Sequence, residues 1–388
     1  MKLHSTLRIS LTLSAISLVG LATSLPATAA KLYSVTDLGT LGTNALGSNF
    51  SVASGINDLG QVVGSSSSNT DNLTHGFRTA PNSLINPETD DLGFLDNSDN
   101  ARFSRFTRAN GINNLGQVVG TSYFGAGRQG AFRTAPNSPI DPATTDNITG
   151  YGFGNSINES GQVAGTLGGA PIAFRTAPNS PIDSATDILG SLNENNGNLA
   201  FANGINNLGQ VVGAAGTAAS TVGPYPSTEF HAFRTAPNSP INPSTDDLGT
   251  LGGEPNSSGD ASVANAINDK GQVVGNSQTV SGETHAFRTA PNSPINPSTD
   301  DLGTLGGGYS IAYAINNKGQ VVGASDTTSG VRHAFVYYKH QMLDLNNLIP
   351  TDSNFVLTRA NGINKKGQIV GSGSINGETH AFLLTPER

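Results

Sequence analysis

A motif that recurs seven times restricts the fold more than any other feature of the sequence. The motif is Ile-Asn-x-x-Gly-Gln-Val-Val-Gly with small changes, and its first residue is Ile56, Ile112, Ile157, Ile205, Ile267, Ile315 and Ile363. A second motif, His-Ala-Phe or a variant, ends at Phe77, Phe132, Phe174, Phe233, Phe287, Phe335 and Phe382. A third, Asp-Leu-Gly or a divergent form, is centred on Leu38, Leu92, Ile148, Leu189, Leu248, Leu302 and Leu345. The spacing of these motifs is typical of β-propeller blades with loop insertions.

Each unit is predicted to form four short strands. In the fifth unit, an apolar stretch at 262–267 precedes the turn 268–271, whose Asn and Gly suit a type I turn. The next predicted strands are 272–275, 285–288 and 301–305. Short apolar runs at regular spacing, bounded by turn residues, indicate a sandwich, a barrel or a propeller.

The two ends of the repeat array favour a closed ring. Residues 32–39 supply only a fourth strand, and residues 357–382 supply only the first three. An open stack would expose two sheet edges and would need polar caps. We therefore predict an all-β fold, a seven-bladed β-propeller of four-stranded blades, closed by pairing of the N-terminal strand with the C-terminal three. A β-solenoid or a sandwich array is the alternative.

The first thirty residues resemble a signal peptide. Lys2 and Arg8 precede a short apolar stretch at 9–22, and small residues follow at 26–30. We expect cleavage there, a mature domain at 31–388, and a secreted, extracellular or periplasmic location. An uncleaved anchor is the alternative. No second apolar run has membrane length, so we expect no membrane insertion after cleavage.

Composition limits the possible partners. The chain has a net charge of −8, and removal of the predicted signal peptide would remove two of its positive charges. An acidic chain without a basic tract is a poor nucleic-acid binder, so none is expected as a partner. The sequence contains no cysteine, which excludes disulfides and thiol catalysis. We expect a monomer without a cofactor.

The triplets His-Ala-Phe at 231–233, 285–287, 333–335 and 380–382, with Asp-Leu-Gly-Thr-Leu-Gly-Gly at 247–253, resemble those of the HAF-repeat extracellular proteins. The resemblance covers the predicted mature chain. It implies export and a repeat fold, and it implies no defined activity. Units two and three depart from the pattern, because Gly130 and Ile172 stand where the triplet has His.

The recurring polar residues are interpreted as structural. A metal site built on the repeated His would lack its ligand in two units, and a cross-strand polar contact fits better. Calcium loops need several carboxylates at alternating positions, whereas turns such as 206–209 carry Asn and no acid. We therefore expect no metal site.

Five nearly identical Pro-rich connections follow Arg78, Arg133, Arg175, Arg234 and Arg288. They would leave one rim of the ring, either as spacers or as a repeated binding surface, and spacers are the preferred interpretation. The sixth unit has residues 336–341 instead.

The motif Phe is expected to lie in the core, whereas the connections are expected to be spacers. Phe287→Ala should therefore destabilise the core, and Asn292→Ala should have little effect.

Specificity is expected in the variable loops at the other end of the units. The candidates for contact with a ligand are aromatic residues and one Arg in the segments 121–128, 151–153 and 217–229. These are Tyr123, Phe124, Arg128, Tyr151, Phe153 and Tyr225. Aromatic rings beside polar groups can stack on a sugar or a peptide.

No catalytic motif is present, and no catalytic residue is predicted. The leading hypothesis is a non-enzymatic, exported binding module for a glycan, a peptide or a surface protein. One alternative is a secreted carbohydrate-active hydrolase or lyase whose carboxylates, such as Glu194, Glu254 and Asp260, would meet at the central funnel. The other is a structural component of a surface or matrix.

Overall fold

The computed structural model describes residues 32–387 except 44–46, 48, 72, 97–104, 125–127, 145, 194–198, 221–226 and 254–260. The predicted signal peptide, Tyr225 and the acids Glu194, Glu254 and Asp260 lie outside the described residues. The predictions made for them therefore stay predictions. In the described part of the chain, no helix is long and apolar enough to span a membrane.

The fold is all-β, as predicted. Among the described residues, the short 3-10 helix Leu345–Asn347 accompanies the strands. The strands are β1 (Tyr33–Asp37), β2 (Ser51–Ile56), β3 (Val62–Ser67), β4 (Thr74–Arg78), β5 (Thr107–Ile112), β6 (Val118–Phe124), β7 (Arg128–Arg133), β8 (Gly152–Ile157), β9 (Val163–Leu167), β10 (Ile172–Arg175), β11 (Ala200–Ile205), β12 (Val211–Ser220), β13 (Ser227–Arg234), β14 (Ser262–Ile267), β15 (Val273–Gln278), β16 (Thr284–Arg288), β17 (Gly306–Ile315), β18 (Val321–Thr327), β19 (Arg332–Tyr338), β20 (Gln341–Asp344), β21 (Phe355–Ile363), β22 (Ile369–Ile375) and β23 (Glu378–Pro386).

Each repeat forms an antiparallel meander whose first three strands are the predicted ones. Units one to four form the sheets β2-β3-β4, β5-β6-β7, β8-β9-β10 and β11-β12-β13. Units five and six share one seven-stranded sheet, joined by a single parallel pair between Thr284 and Tyr309. The last sheet has the order β1-β23-β22-β21, so the first strand pairs with the last, as predicted.

The prediction of a fourth strand in every unit is wrong for units one to five. There the Asp-Leu-Gly segment makes one isolated bridge, such as Phe287 to Asp301. The Asp301 side chain then accepts the backbone N–H of Gly303, 2.7 Å away, and Gly303 has a φ of 69°. In unit five the residues just before Asp301 form a turn, in which the N–H groups of Thr299 and Asp300 donate to the Asn296 carbonyl, so no strand leads into the bridge. Full fourth strands occur only as β20 and β1 among the described residues. These two strands end at Asp344 and Asp37 and are followed by the same Asx contact.

The core lies between successive units, as the buried motif residues predict. The seven motif Phe side chains are fully buried. Phe77, for example, packs with Leu38, Ala53 and Val370, which come from two different units. In five units the final Gly of the Ile-Asn-x-x-Gly-Gln-Val-Val-Gly motif makes room for the ring: a Cβ on Gly64, for example, would lie 2.9 Å from Phe77 and still closer to the Val52 carbonyl oxygen. Propellers bury their blades in this way.

The motif Asn connects all seven units. Its Nδ2 donates to the backbone carbonyl of the motif Asn in the next unit, and in the last unit Asn364 donates to Asn57. All seven bonds measure 3.1 Å, and the donors are Asn57, Asn113, Asn158, Asn206, Asn268, Asn316 and Asn364. These residues are buried. We call this set the Asn circuit. It surrounds a cavity of about 260 Å³.

The Pro-rich connections are integrated into the scaffold. In the fifth unit, Asn292 has a φ of 54°, and its N–H donates to the Gly271 carbonyl. Its Oδ1 accepts from Nε2 of Gln210 in the preceding unit, 3.3 Å away. The expectation that Asn292→Ala has little effect is therefore revised, because Ala would lose this bond and would be strained at a positive φ.

Candidate functional site

A pocket of about 550 Å³ lies where the first strands of units two, three and four begin. These strands run from the pocket to the Asn circuit, so the pocket is at the opposite end of the units from the motif turns. Its lining combines aromatic rings with neutral polar groups and one Arg. The lining residues are Phe106, Arg108, Asn110, Thr121, Gln129, Tyr151, Phe153, Asn155, Thr166, Leu167, Gly168, Gly169, Pro171 and Phe201.

Three aromatic rings of the pocket remain accessible. Tyr151 is 46% exposed, Phe153 is 36% exposed and Phe201 is 40% exposed. Phe201 packs against Phe230, with ring centroids 5.8 Å apart. Half-exposed rings that are held by neighbours offer a flat apolar surface at a low entropic cost.

Gly168 allows the Tyr151 ring to pack closely against the loop between β9 and β10. The N–H of Gly168 donates to the Tyr151 carbonyl at 3.1 Å. A Cβ on Gly168 would lie 2.5 Å from the Tyr151 ring, so only Gly permits this close approach. The loop between β9 and β10 and the ring therefore form one wall.

The polar groups of the pocket lie beside these rings. The Arg108 guanidinium stacks on Phe106, with Cζ 4.8 Å from the ring centroid. Nδ2 of Asn155 donates to the Ala202 carbonyl at 2.7 Å, which fixes the amide at the boundary between units three and four. Beneath the surface, Thr166 is only 4% exposed, and its Oγ1 has no hydrogen-bond partner among the described residues. A buried hydroxyl without a partner is costly, and a polar ligand or a bound water would satisfy it.

The structure brings only part of the predicted site together. Tyr151 and Phe153 line the pocket. Tyr123 is 5% exposed, so its assignment to an exposed loop is wrong: β6 and β7 extend further than expected, and Tyr123 pairs with Gln129. Arg128 is exposed on β7 and is absent from the described lining. For Phe124 the structure describes the backbone in β6, where it pairs with Arg128, and not the side chain.

Sequence reasoning missed Arg108, Gln129 and Phe201. A comparison of equivalent positions across the units would have indicated two of them. The first strand of each unit contains a buried small residue. The position just before it holds Arg108, Phe153 and Phe201 in units two to four, whereas the fifth unit has Val263 there. The units thus differ in large side chains at one strand position as well as in their loops.

The motif His residues form hydrogen-bonded pairs with Asp residues away from the pocket. His75, His231, His285, His333 and His380 each place Nδ1 within 2.7–3.0 Å of an Asp carboxylate in the fourth segment. The predicted cross-strand polar contact is therefore confirmed. In unit seven the pair joins His380 on β23 to Asp37 on β1.

These carboxylates change the pKa values of several His residues. For His285, the hydrogen bond to Asp301 raises the pKa above its usual value and outweighs the opposing effect of burial. For His75 and His231, burial is the largest single effect and lowers the pKa, but the paired carboxylates together outweigh it, so the net pKa is raised. Burial would raise the pKa of Asp247, yet the bonds from His231 and Gly249 lower it overall.

Comparisons with known proteins add little about the site. A family model described as a protein of unknown function (DUF3466) matches residues 286–383. A sequence search of curated proteins finds no match.

Three solved structures show a weak similarity in fold. A gluconolactonase from Xanthomonas campestris has 12% identity over 70% of this chain and 82% of its own, with a TM-score of 0.38. Trypanosoma rangeli sialidase in complex with DANA has 10% identity, 91% and 59% coverage and a TM-score of 0.41. An oligogalacturonate lyase in complex with manganese has 11% identity, 92% and 99% coverage and a TM-score of 0.41. The chain spans about three fifths of the sialidase's length. At these values the similarities carry no conclusion about activity.

Proposed function

We propose that this chain is an exported, seven-bladed β-propeller that binds a glycan, without cleaving it, in the pocket around Tyr151, Phe153 and Phe201. The observation that carries the proposal is the group of three half-exposed rings beside neutral hydrogen-bonding side chains. Sugar rings have apolar faces that stack on aromatic side chains and hydroxyl groups that bond to amides. The pocket volume of about 550 Å³ also falls in the range of small-ligand sites.

Two contacts support seven blades in a closed arrangement. The Asn circuit returns from Asn364 to Asn57 after seven steps, and β1 completes the sheet of β21 to β23. In such a ring, the pocket would lie at the mouth of the central channel, on the side of blades two to four.

Binding is favoured over hydrolysis by the chemistry of the described lining. A glycosidase needs two carboxyl groups that flank the bond it cleaves. The described residues of the pocket contribute amides, hydroxyls and the guanidinium of Arg108, and none of them is Asp, Glu or His. Such a lining can hold a neutral sugar and offers it no general acid.

A glycan array probed with the purified protein tests this proposal, followed by calorimetry with the best ligand. We expect Tyr151→Ala and Phe201→Ala each to weaken binding by about 1–3 kcal/mol, the range for a fully used apolar or aromatic contact. The matched control is Tyr338→Ala, because Tyr338 is 47% exposed and does not line this pocket.

The same samples are analysed for products by mass spectrometry. Binding of a glycan that returns intact, and that depends on Tyr151 and Phe201, supports the proposal. Product formation would overturn the non-enzymatic part of it. Binding that survives both substitutions, or no binding to any glycan, would overturn the assigned site.

A further inference from the structure

Each Pro-rich connection fills a space beside the unit that precedes it. Each connection lies against the preceding unit, which holds it with an Arg and a Gln. Nη1 of Arg78 donates to the Ser138 carbonyl at 2.8 Å, and Nε2 of Gln61 donates to Oδ1 of Asn137 at 3.1 Å. The Arg contact recurs at three further boundaries, where Arg133, Arg175 and Arg234 donate to Ser180, Ser239 and Ser293.

Unit six has no such connection. Its third and fourth strands, β19 and β20, are joined by the two-residue turn Lys339-His340. A pocket of about 420 Å³ opens where a connection would lie. We call it the unit-six pocket, and its lining residues are Lys270, Gln272, Arg288, Pro291, Lys318, Gly319, Tyr338, Lys339 and His340.

The Gln and Arg donors that bind a Pro-rich connection at other boundaries are present at the unit-six pocket as Gln272 and Arg288. Their usual acceptors are absent from the described residues there. Oε1 of Gln272 accepts from Asn268, as in the other units, but Nε2 of Gln272 has no acceptor in the described part of the chain. Arg288 donates through Nη1 to the Gly319 carbonyl at 2.7 Å, and the Ser carbonyl that the other units supply has no equivalent. The pocket therefore keeps a preformed pair of donors for an amide or carboxylate oxygen and a backbone carbonyl.

The unit-six pocket is also strongly basic in an acidic chain. Its lining contains three Lys, one Arg and one His, and none of the described lining residues is acidic. Lys270 and Lys318 occupy the turn position at which units one, two and four have exposed Leu residues. A concave patch of one charge attracts ligands of the opposite charge.

The turn that opens the pocket carries backbone strain. Lys339 has a φ of 49° and His340 has a φ of 63°, a conformation that suits Gly or Asn much better. A two-residue hairpin turn needs a positive φ at both turn residues, so Lys and His are held there at a cost in strain. The turn places two basic side chains at the rim.

We propose that the unit-six pocket binds an acidic, turn-forming peptide segment of a partner protein, with an Asp in the place that Asn takes in the Pro-rich connections. The peptide follows the path of those connections. Its Asp carboxylate accepts from Gln272 Nε2 and lies among Lys270, Lys318 and Lys339, and a backbone carbonyl accepts from Arg288. The site is independent of the glycan pocket, which lies at the other end of the units.

The test uses two fluorescein-labelled, C-terminally amidated peptides that differ at one position, Thr-Ala-Pro-Asp-Ser-Pro and Thr-Ala-Pro-Asn-Ser-Pro, in anisotropy titrations at low salt. We expect the Asp peptide to bind about fivefold or more tightly than the Asn peptide, the effect of one added charge pair at about 4 Å in water. The combined substitution Lys270→Gln and Lys318→Gln should weaken binding of the Asp peptide by about tenfold or more.

The matched control is Lys366→Gln, because Lys366 occupies the equivalent turn position in unit seven and does not line this pocket. These lysines are exposed, so circular dichroism should show unchanged folding in all variants. Tyr151→Ala should leave peptide binding unchanged.

Three results would overturn the proposal. Equal affinity for the two peptides would show that the Asp carboxylate does not contribute to binding. An equal loss with Lys366→Gln would indicate unspecific attraction to a basic surface. Failure of the Asp peptide to bind, or its displacement by an oligoglucuronate at a lower concentration than by unlabelled peptide, would assign the pocket to another ligand or to none.

Discussion

Nδ2 of Asn364 lies 3.1 Å from the carbonyl oxygen of Asn57 and donates to it, so the last repeat is bonded to the first by the same contact that joins every other pair. Oδ1 of the same Asn364 accepts the N–H groups of Lys366 and Gln368, which closes its own turn. One side chain thus fixes a turn and an interface together. Asp could perform the first task and not the second, because a carboxylate has no N–H.

The Asn circuit predicts a specific sensitivity to Asn→Asp substitution. We expect Asn268→Asp to lower the free energy of unfolding by about 1–3 kcal/mol, because it leaves the Asn316 carbonyl without its donor and buries a charge. Denaturant titration measures this loss. The control is Asn376→Asp in the exposed turn between β22 and β23, which makes the same charge change. Equal losses in the two variants would contradict the role of the circuit.

The packing between units predicts a graded effect for two positions of unit five. Phe287→Ala should cost about 3–5 kcal/mol, as for other fully buried Phe side chains. Asn292→Ala should cost about 1 kcal/mol or more, because Ala is strained at a φ of 54°. Asn292→Gly separates the two causes, since Gly accepts this φ and loses only the bond from Gln210. If Asn292→Gly is as destabilising as Asn292→Ala in urea denaturation, backbone strain is not the reason.

The His–Asp pairs predict that stability decreases above neutral pH. A His whose pKa is raised in the folded state contributes stability that is fully present below the unfolded pKa of about 6.5 and is lost as pH rises through the folded pKa. His75, His231 and His285 are of this kind. We therefore expect the Tm to fall as pH rises from about 6.5 through the folded pKa values, with a smaller fall when all three are replaced by Gln.

His340→Gln is the control for the pH series, because His340 is exposed and lies outside these pairs. It should keep the wild-type slope. An unchanged slope in the triple variant would show that other groups cause the pH dependence. At the acidic end, the lowered pKa values of Asp247 and Asp301 give stability that is lost as pH falls through their folded pKa values.

The contact between Gly168 and Tyr151 predicts a way to change the glycan pocket without removing an aromatic residue. Gly168→Ala would place a methyl group against the Tyr151 ring, which must then turn away. We expect binding of the array-selected glycan to weaken by about tenfold, the effect of losing roughly 1.4 kcal/mol of ring contact. Gly282→Asn is the control, because Gly282 lies outside this pocket in the equivalent loop of unit five, Asn tolerates its φ of 82° better than other side chains do, and a Cβ there meets no neighbour. Equal effects of both changes would show that the loss does not come from displacement of the Tyr151 ring.

The fold was predictable in those parts that repeat. Each motif Phe could be assigned to the core because seven copies at regular spacing must bury equivalent faces. The fourth strands were overpredicted because the residues before Asp301 form a turn, with the N–H groups of Thr299 and Asp300 donating to the Asn296 carbonyl. The equivalent residues before Asp37 and Asp344 form the strands β1 and β20 instead. The apolar pattern of the Asp-Leu-Gly motif alone does not distinguish the two cases.

The candidate site was predictable only where a loop carried unusual residues. Tyr151 and Phe153 were identified by their aromatic side chains, but Tyr123 turned out to be buried because β6 and β7 extend to include it. Phe201 was missed because it lies inside a strand whose neighbours are small. The pocket forms from three units that are adjacent in space, and no single unit contains its pattern.

The pairing of β1 with β23 has a consequence for the order of events in folding. Tyr33 lies opposite Pro386, so β1 cannot form these hydrogen bonds until β23, the last of the described strands, has been synthesised. Such a distant pairing slows folding, since loop closure over hundreds of residues precedes any gain from the contact. In a nascent chain of this protein, β1 therefore stays without its strand partner until β23 has been synthesised.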